Sequence, residues 1–136
     1  MNKGLHRFAL LVAGATFFLI IAGALVTSHD AGLATEDWPL SNGQVFPEMV
    51  GNLFWEHGHR MVATTVGLLT IGLVILLYRW VFLRFVKRLL GMQGHRSLHP
   101  GEPPQWLRRL GLIALVGVIA QGLLGGLTVK LMLPLA

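Results

Sequence analysis

Two uncharged apolar runs, residues 8–28 and 110–129, constrain this chain more than any other feature of it. The first is 21 residues long without a single Asp, Glu, Lys or Arg, and the second is 20 long with Gln121 as its main polar interruption. At about 1.5 Å of rise per residue, either run crosses the ~30 Å hydrocarbon core of a bilayer as a helix. A soluble fold of 136 residues has too little interior to hide two such segments on all sides, and the 54% hydrophobic residues, 12% charged residues and mean hydropathy of +0.65 agree. The expected fold class is all-α, a polytopic membrane helical bundle.

A third span is less obvious. Residues 61–77 give only 17 uncharged positions, so a full crossing requires the helix to begin near Leu53 and to carry Glu56, His57, His59 and Arg60 within it. An ionisable group at the centre of a membrane helix costs roughly 2.5–3.5 kcal/mol on insertion scales, so such a cluster needs a partner or a task. The chemistry is expected here. One membrane domain, residues 1–136, follows: helix 1 at about 8–28, a loop at 29–52, helix 2 at about 53–78, a loop at 79–109 and helix 3 at about 110–130.

Basic residues set the expected orientation. Lys3 and Arg7 precede the first span, and Arg79, Arg84, Lys87, Arg88, Arg96, Arg108 and Arg109 lie between the second and third, whereas residues 29–52 carry acidic groups and no Lys or Arg. The positive-inside rule makes the amino terminus and the 79–109 loop cytoplasmic and the 29–52 loop external. Topology thus accounts for the net charge of +5, and no nucleic-acid partner is implied. The basic and apolar stretch 81–90 is expected to lie in the headgroup plane against membrane lipid, and residues 93–105 to be the least structured part. The amino-terminal run is too long for a signal-peptide core and reads as a retained helix. With no cysteine, the chain has no disulfide, thiolate ligand or iron–sulfur cluster of its own.

Small residues point to close helix packing. Gly122 and Gly126 stand at GxxxG spacing in the third span, and Gly14, Ala15, Ala22, Gly23 and Ala24 line the first. The same glycines also suit a flat ligand such as a porphyrin.

Helical spacing dissects the charged cluster. Glu56, His59 and Arg60, three and four residues apart, project from one side of a helix, while His57 is turned by about 100° from Glu56. One carboxylate, one imidazole and one guanidinium therefore face a single region. Imidazole ligates haem iron, arginine pairs with a propionate and a carboxylate relays protons or stabilises positive charge. The plainer reading is an i,i+4 ion pair between Glu56 and Arg60 at the membrane surface, with the histidines as interfacial residues. A carboxylate-bridged di-iron site would require a second Glu-x-x-His, which this sequence lacks.

Four motifs carry a family resemblance. Glu56-x-x-His59-Arg60, the stretch Gly23-Ala24-Leu25-Val26-Thr27-Ser28 leading into Gly32-Leu33-Ala34, Asp37-Trp38-Pro39-Leu40 with Asn42-Gly43, and Gln121-Gly122-Leu123-Leu124-Gly125-Gly126-Leu127-Thr128-Val129 occur in that order. Together they resemble the amino-terminal half of haem A synthase, over nearly the whole chain except residues 81–105. The resemblance implies a four-helix half of an eight-helix protein, and oxidation of the C8 methyl group of haem O to a formyl group for terminal-oxidase cofactor biosynthesis. It implies that His59 is an axial ligand of haem iron, that Glu56 is the carboxylate needed for oxidation and that Arg60 pairs with a propionate. Haem b is expected in the family's other half. Implied partners are haem O, haem O synthase or oxidase-assembly proteins, and the carboxy-terminal half or another protomer. The implied location is a bacterial or archaeal plasma membrane.

The chain departs from the pattern in two respects. Thr35 and Ser41 stand where many relatives carry a cysteine pair, and the sequence stops at Ala136 after three spans, before the helix that supplies the histidine opposite His59 in the family. A fragment of a longer protein is the expectation. His6, His95 and His99 fall on the cytoplasmic side, away from His59; His29 is on its side, where a surface role is the simpler reading. The alternative function is a non-catalytic membrane haem-binding or electron-transfer module in which Glu56 serves only as an ion-pair partner.

Overall fold

A computed structural model describes residues 3–35, 37–91 and 102–132, with the side chains of Arg84 and Met132 also outside the described set. It consists of three helices: α1 (Lys3–Ser28), α2 (Asn52–Leu89) and α3 (Gln105–Met132). Each is long and apolar enough to cross a membrane, which makes this an all-α integral membrane protein. His95 and His99 and most of the 93–105 segment lie outside the described residues.

All three helices extend beyond the apolar runs that announce them. α1 starts at Lys3, five residues before residue 8, and α3 at Gln105, directly after Pro103-Pro104. Proline is disfavoured inside a helix but tolerated at its first turn, which fixes that start. The larger difference concerns residues 81–89, which continue α2 rather than forming a separate segment in the headgroup plane. Leu, Phe, Val, Arg and Lys offer nothing that would break a helix, and the run ends only at Gly91, whose φ is 67°. At 38 residues, α2 is about 57 Å long, nearly twice the hydrocarbon thickness.

The packing is antiparallel and centred on α2. Phe8 lies over Gly72 and the His59 ring over Gly23, which pairs α1 with α2 head to tail; Val118 approaches Gly67 and Leu77 approaches Gly111, which does the same for α2 and α3. α1 and α3 each pack on α2, and among the described residues they do not pack on one another. Buried side chains accordingly concentrate on α2, where Val66, Thr70 and Leu77 are 1%, 2% and 2% exposed. Most large apolar side chains of α1 and α3 point outward, as suits a lipid environment in which apolar surface needs no burial.

Threonine hydroxyls within the spans are satisfied locally. The hydroxyls of Thr16, Thr64, Thr65, Thr70 and Thr128 each donate to the carbonyl four residues earlier, at 2.8–2.9 Å. In hydrocarbon no water can take that role, so this back-bonding lets threonine sit in a membrane helix at little cost.

Candidate functional site

The 29–51 loop folds down onto the first turns of α2, and the site lies where they meet. Its tip is a two-residue turn: Ser41 and Gln44 exchange both backbone hydrogen bonds, at 3.1 and 3.0 Å, around Asn42 and Gly43 at φ 52° and 69°. Positive φ at both central positions is the geometry that Asn-Gly favours. Asp37 braces the turn, its carboxylate accepting from the backbone N–H groups of Asn42 at 2.8 Å and Gly43 at 2.6 Å. Those N–H groups, Gly43 first, hold the Asp37 carboxyl below its ordinary value, and the Arg60 charge adds to the effect. A cis peptide joins Trp38 to Pro39.

Glu56 is 4% exposed and is surrounded by donors. Its Oε2 accepts from the backbone N–H groups of Ala34 at 2.6 Å and Thr35 at 3.2 Å, and its Oε1 from the Thr35 hydroxyl at 3.4 Å and from Arg60 Nη2. Four donors match the four lone-pair directions of a carboxylate, so both oxygens of this group are fully engaged. Arg60 is the other half of the arrangement. Its Nη1 donates to the carbonyls of Asp37 at 2.9 Å and Leu40 at 2.6 Å and to the Ser41 hydroxyl at 3.2 Å. The guanidinium therefore faces the loop, where its fork bonds several acceptors at once.

The two histidines of the cluster have opposite fates. His57, 4% exposed, has both ring nitrogens engaged: Nε2 donates to the Val45 carbonyl at 3.0 Å, and Nδ1 meets the Ser41 hydroxyl at 2.9 Å. A carbonyl only accepts, so Nε2 carries the proton and Nδ1 accepts from Ser41. His59 has a buried Nδ1 without a hydrogen-bond partner, and its ring rests against the bare backbone of Gly23 on α1. A β-carbon at position 23 would come within 3.2 Å of His59 Cε1. A buried polar atom left unpaired is rare and asks for a ligand. A haem fits this part of the observation: the group would find in His59 an imidazole with an uncommitted nitrogen, and in Gly23 a neighbour without a side chain.

Of the other sequence candidates, His29 is exposed, stacks on Trp55 with centroids 4.2 Å apart and donates from Nδ1 to the Leu25 carbonyl at 2.8 Å. His6 is exposed at the opposite end of α1. Among the described residues, no three His, Cys, Asp or Glu side chains come together to hold a bare metal ion. Sequence reasoning singled out Thr35 and Ser41 only as the positions of the family's cysteine pair, and missed their bonds to Glu56, Arg60 and His57 and the double engagement of His57. The Asn42-Gly43 dipeptide was the available signal, since a tight turn there fixes where Ser41 points.

Comparison with known proteins decides the family. The chain is 33% identical over 127 residues to the haem A synthase of Shouchella clausii, covering 92% of this chain and 36% of that protein. It is 30% identical over 131 residues to the haem A synthase of Geobacillus kaustophilus, covering 95% and 35%. The chain belongs to the haem A synthase family. The haem A synthase of Bacillus licheniformis is 38% identical over 76 residues, covering 55% of this chain and 25% of that protein. The chain thus spans about a third of the length of these curated relatives, or less. No family model matches it, and no solved structure does.

Proposed function

We propose that this chain takes part in haem A biosynthesis by binding haem O through His59 and supporting oxidation of its C8 methyl group to a formyl group, with Glu56 as the catalytic carboxylate. The observation that carries the reading is the contrast between His57, whose nitrogens are both engaged, and His59, whose buried Nδ1 has no partner. The names of the relatives support the same pathway. Haem iron, when bound, supplies the redox chemistry.

The chain's own residues have separable tasks. His59 holds the porphyrin, and the absence of a side chain at Gly23 leaves its ring room. Glu56 supplies a fixed negative charge that favours positive charge developing at the methyl carbon, or takes up the proton released there. Arg60 bonds the carboxylate and tethers the loop, and a propionate would compete for the same Nη donors. The site lies on the external face of a bacterial or archaeal plasma membrane with the amino terminus cytoplasmic, and the rest of the site comes from a further segment or another protomer.

The discriminating experiment is Glu56→Gln in the full chain supplied with haem O. Loss of haem A formation with haem still bound supports the reading. Unchanged haem A formation defeats it and leaves the non-catalytic haem-binding module, in which Glu56 is only an ion-pair partner.

A further inference from the structure

Arg60, Ser41, His57 and Val45 form a directed chain of hydrogen bonds. Arg60 Nη1 donates to Ser41 Oγ at 3.2 Å, the Ser41 hydroxyl donates to His57 Nδ1 at 2.9 Å, and His57 Nε2 donates to the Val45 carbonyl at 3.0 Å. Ser41 is 0% and His57 4% exposed, so neither bond has water to replace it. Both ends of the chain matter for geometry. At one end Arg60 also grips the Glu56 carboxylate; at the other, His57 fixes the strand of loop beyond the Asn42-Gly43 turn. A second tether, from the Ala34 and Thr35 N–H groups to Glu56 itself, fixes the loop before the turn.

From this connectivity we infer that Ser41 and His57 are positioning residues: a latch that holds the 34–45 loop against α2 and, through Arg60, fixes where the Glu56 carboxylate points. The inference rests on the reading of Glu56 as the catalytic carboxylate. The hydrogen bonds of His57 go to Ser41 and, past the turn, to Val45, and none goes to His59. Ser41 is the joint, because its one hydroxyl both accepts from Arg60 and donates to His57. A carboxylate acting at a carbon centre depends steeply on position, and a displacement of about 1 Å costs up to ~100-fold in rate.

The test compares Ser41→Ala, His57→Phe, His57→Gln and Glu56→Gln in the full chain with haem O as the probe. Turnover is followed by chromatography of extracted haem, and loop protection by amide exchange at Ala34 and Thr35. Ser41→Ala removes one hydroxyl without adding volume, which keeps the fold accessible if His57→Phe does not assemble. The latch predicts that kcat falls ~10- to 100-fold in Ser41→Ala and His57→Phe, while KM for haem O and the haem spectrum hold. His57→Gln, whose amide both donates and accepts, recovers most of the loss. Wild-type kcat in Ser41→Ala and His57→Phe beside an inactive Glu56→Gln overturns the latch. If turnover does not depend on Glu56, the functional reading fails separately, and amide exchange decides alone: faster exchange at Ala34 and Thr35 in Ser41→Ala supports the latch, and unchanged exchange overturns it.

Discussion

The indole of Trp38 closes on the bare backbone of Gly126, where a β-carbon would lie 2.7 Å from Cδ2 and Cε2 and 2.9 Å from Cε3. This contact ties the loop over α2 to α3, so the loop touches both the charged cluster and the third helix. An indole is rigid and cannot yield as a flexible side chain does.

Gly126→Ala is therefore expected to destabilise the fold by ~1–3 kcal/mol, the usual range for overpacking, and to outweigh the gain in helix propensity. Gly122→Ala, with nothing within 4 Å of the added carbon, is expected to stabilise by up to ~1 kcal/mol through helix propensity alone. Unfolding in mixed detergent, followed by Trp fluorescence, separates the two.

At Gly23 the neighbour is the His59 ring, 3.2 Å from the position of an added β-carbon. That approach is tight without being impossible, so Gly23→Ala shifts the ring instead of unfolding α1. The expected result is weaker haem retention, by about an order of magnitude, with helicity by circular dichroism unchanged.

The turn at Asp37 has a definite pH sign. The Asn42 and Gly43 N–H groups favour the ionised carboxylate, so its folded value lies below the ordinary 3.8. A depressed value means that the contribution is fully present above 3.8 and is lost as the pH falls through the folded value. Amide exchange at Asn42 and Gly43, corrected for its intrinsic rate, is expected to be flat above about pH 5 and to accelerate below that ordinary value. In Asp37→Asn the dependence disappears and both amides exchange fast throughout.

Removing the arginine leaves a buried anion behind. The side chains of Arg60 and Glu56 are 14% and 6% exposed, and the loss of one partner from such a pair costs ~3–5 kcal/mol. Arg60→Leu is expected to destabilise the protein by that amount, and Arg60→Leu combined with Glu56→Gln by less than the sum of the two single changes. A double-mutant cycle on unfolding free energies measures the difference.

The sequence showed some of this directly and other parts only through the fold. Helical spacing placed Glu56 and Arg60 within reach of each other because i,i+4 geometry depends on nothing else. The lengths of the helices were less legible: span limits read from apolar runs stop at residues 28, 78 and 130, whereas α2 continues through Lys87 and Arg88 to Leu89, since a helix needs no apolar surroundings to persist. The 100° between Glu56 and His57 separated the two histidines of the cluster, yet the partners that commit His57 come from Ser41 and Val45, and those depend on how the loop turns at Asn42-Gly43. The glycines near the end of α3 also divide only in three dimensions. Gly126 makes room for Trp38, while Gly122 and Gly125 face open space, and nothing in their spacing distinguishes them.

The central claim is that His59, and not His57, holds a haem. The most direct test is the visible absorption spectrum of the detergent-purified chain reconstituted with haem O, measured for wild type, His59→Ala and His57→Ala with the extracted haem identified by chromatography. The account predicts a haem spectrum in wild type and His57→Ala and its loss in His59→Ala. An unchanged spectrum in His59→Ala, or none in wild type, contradicts it.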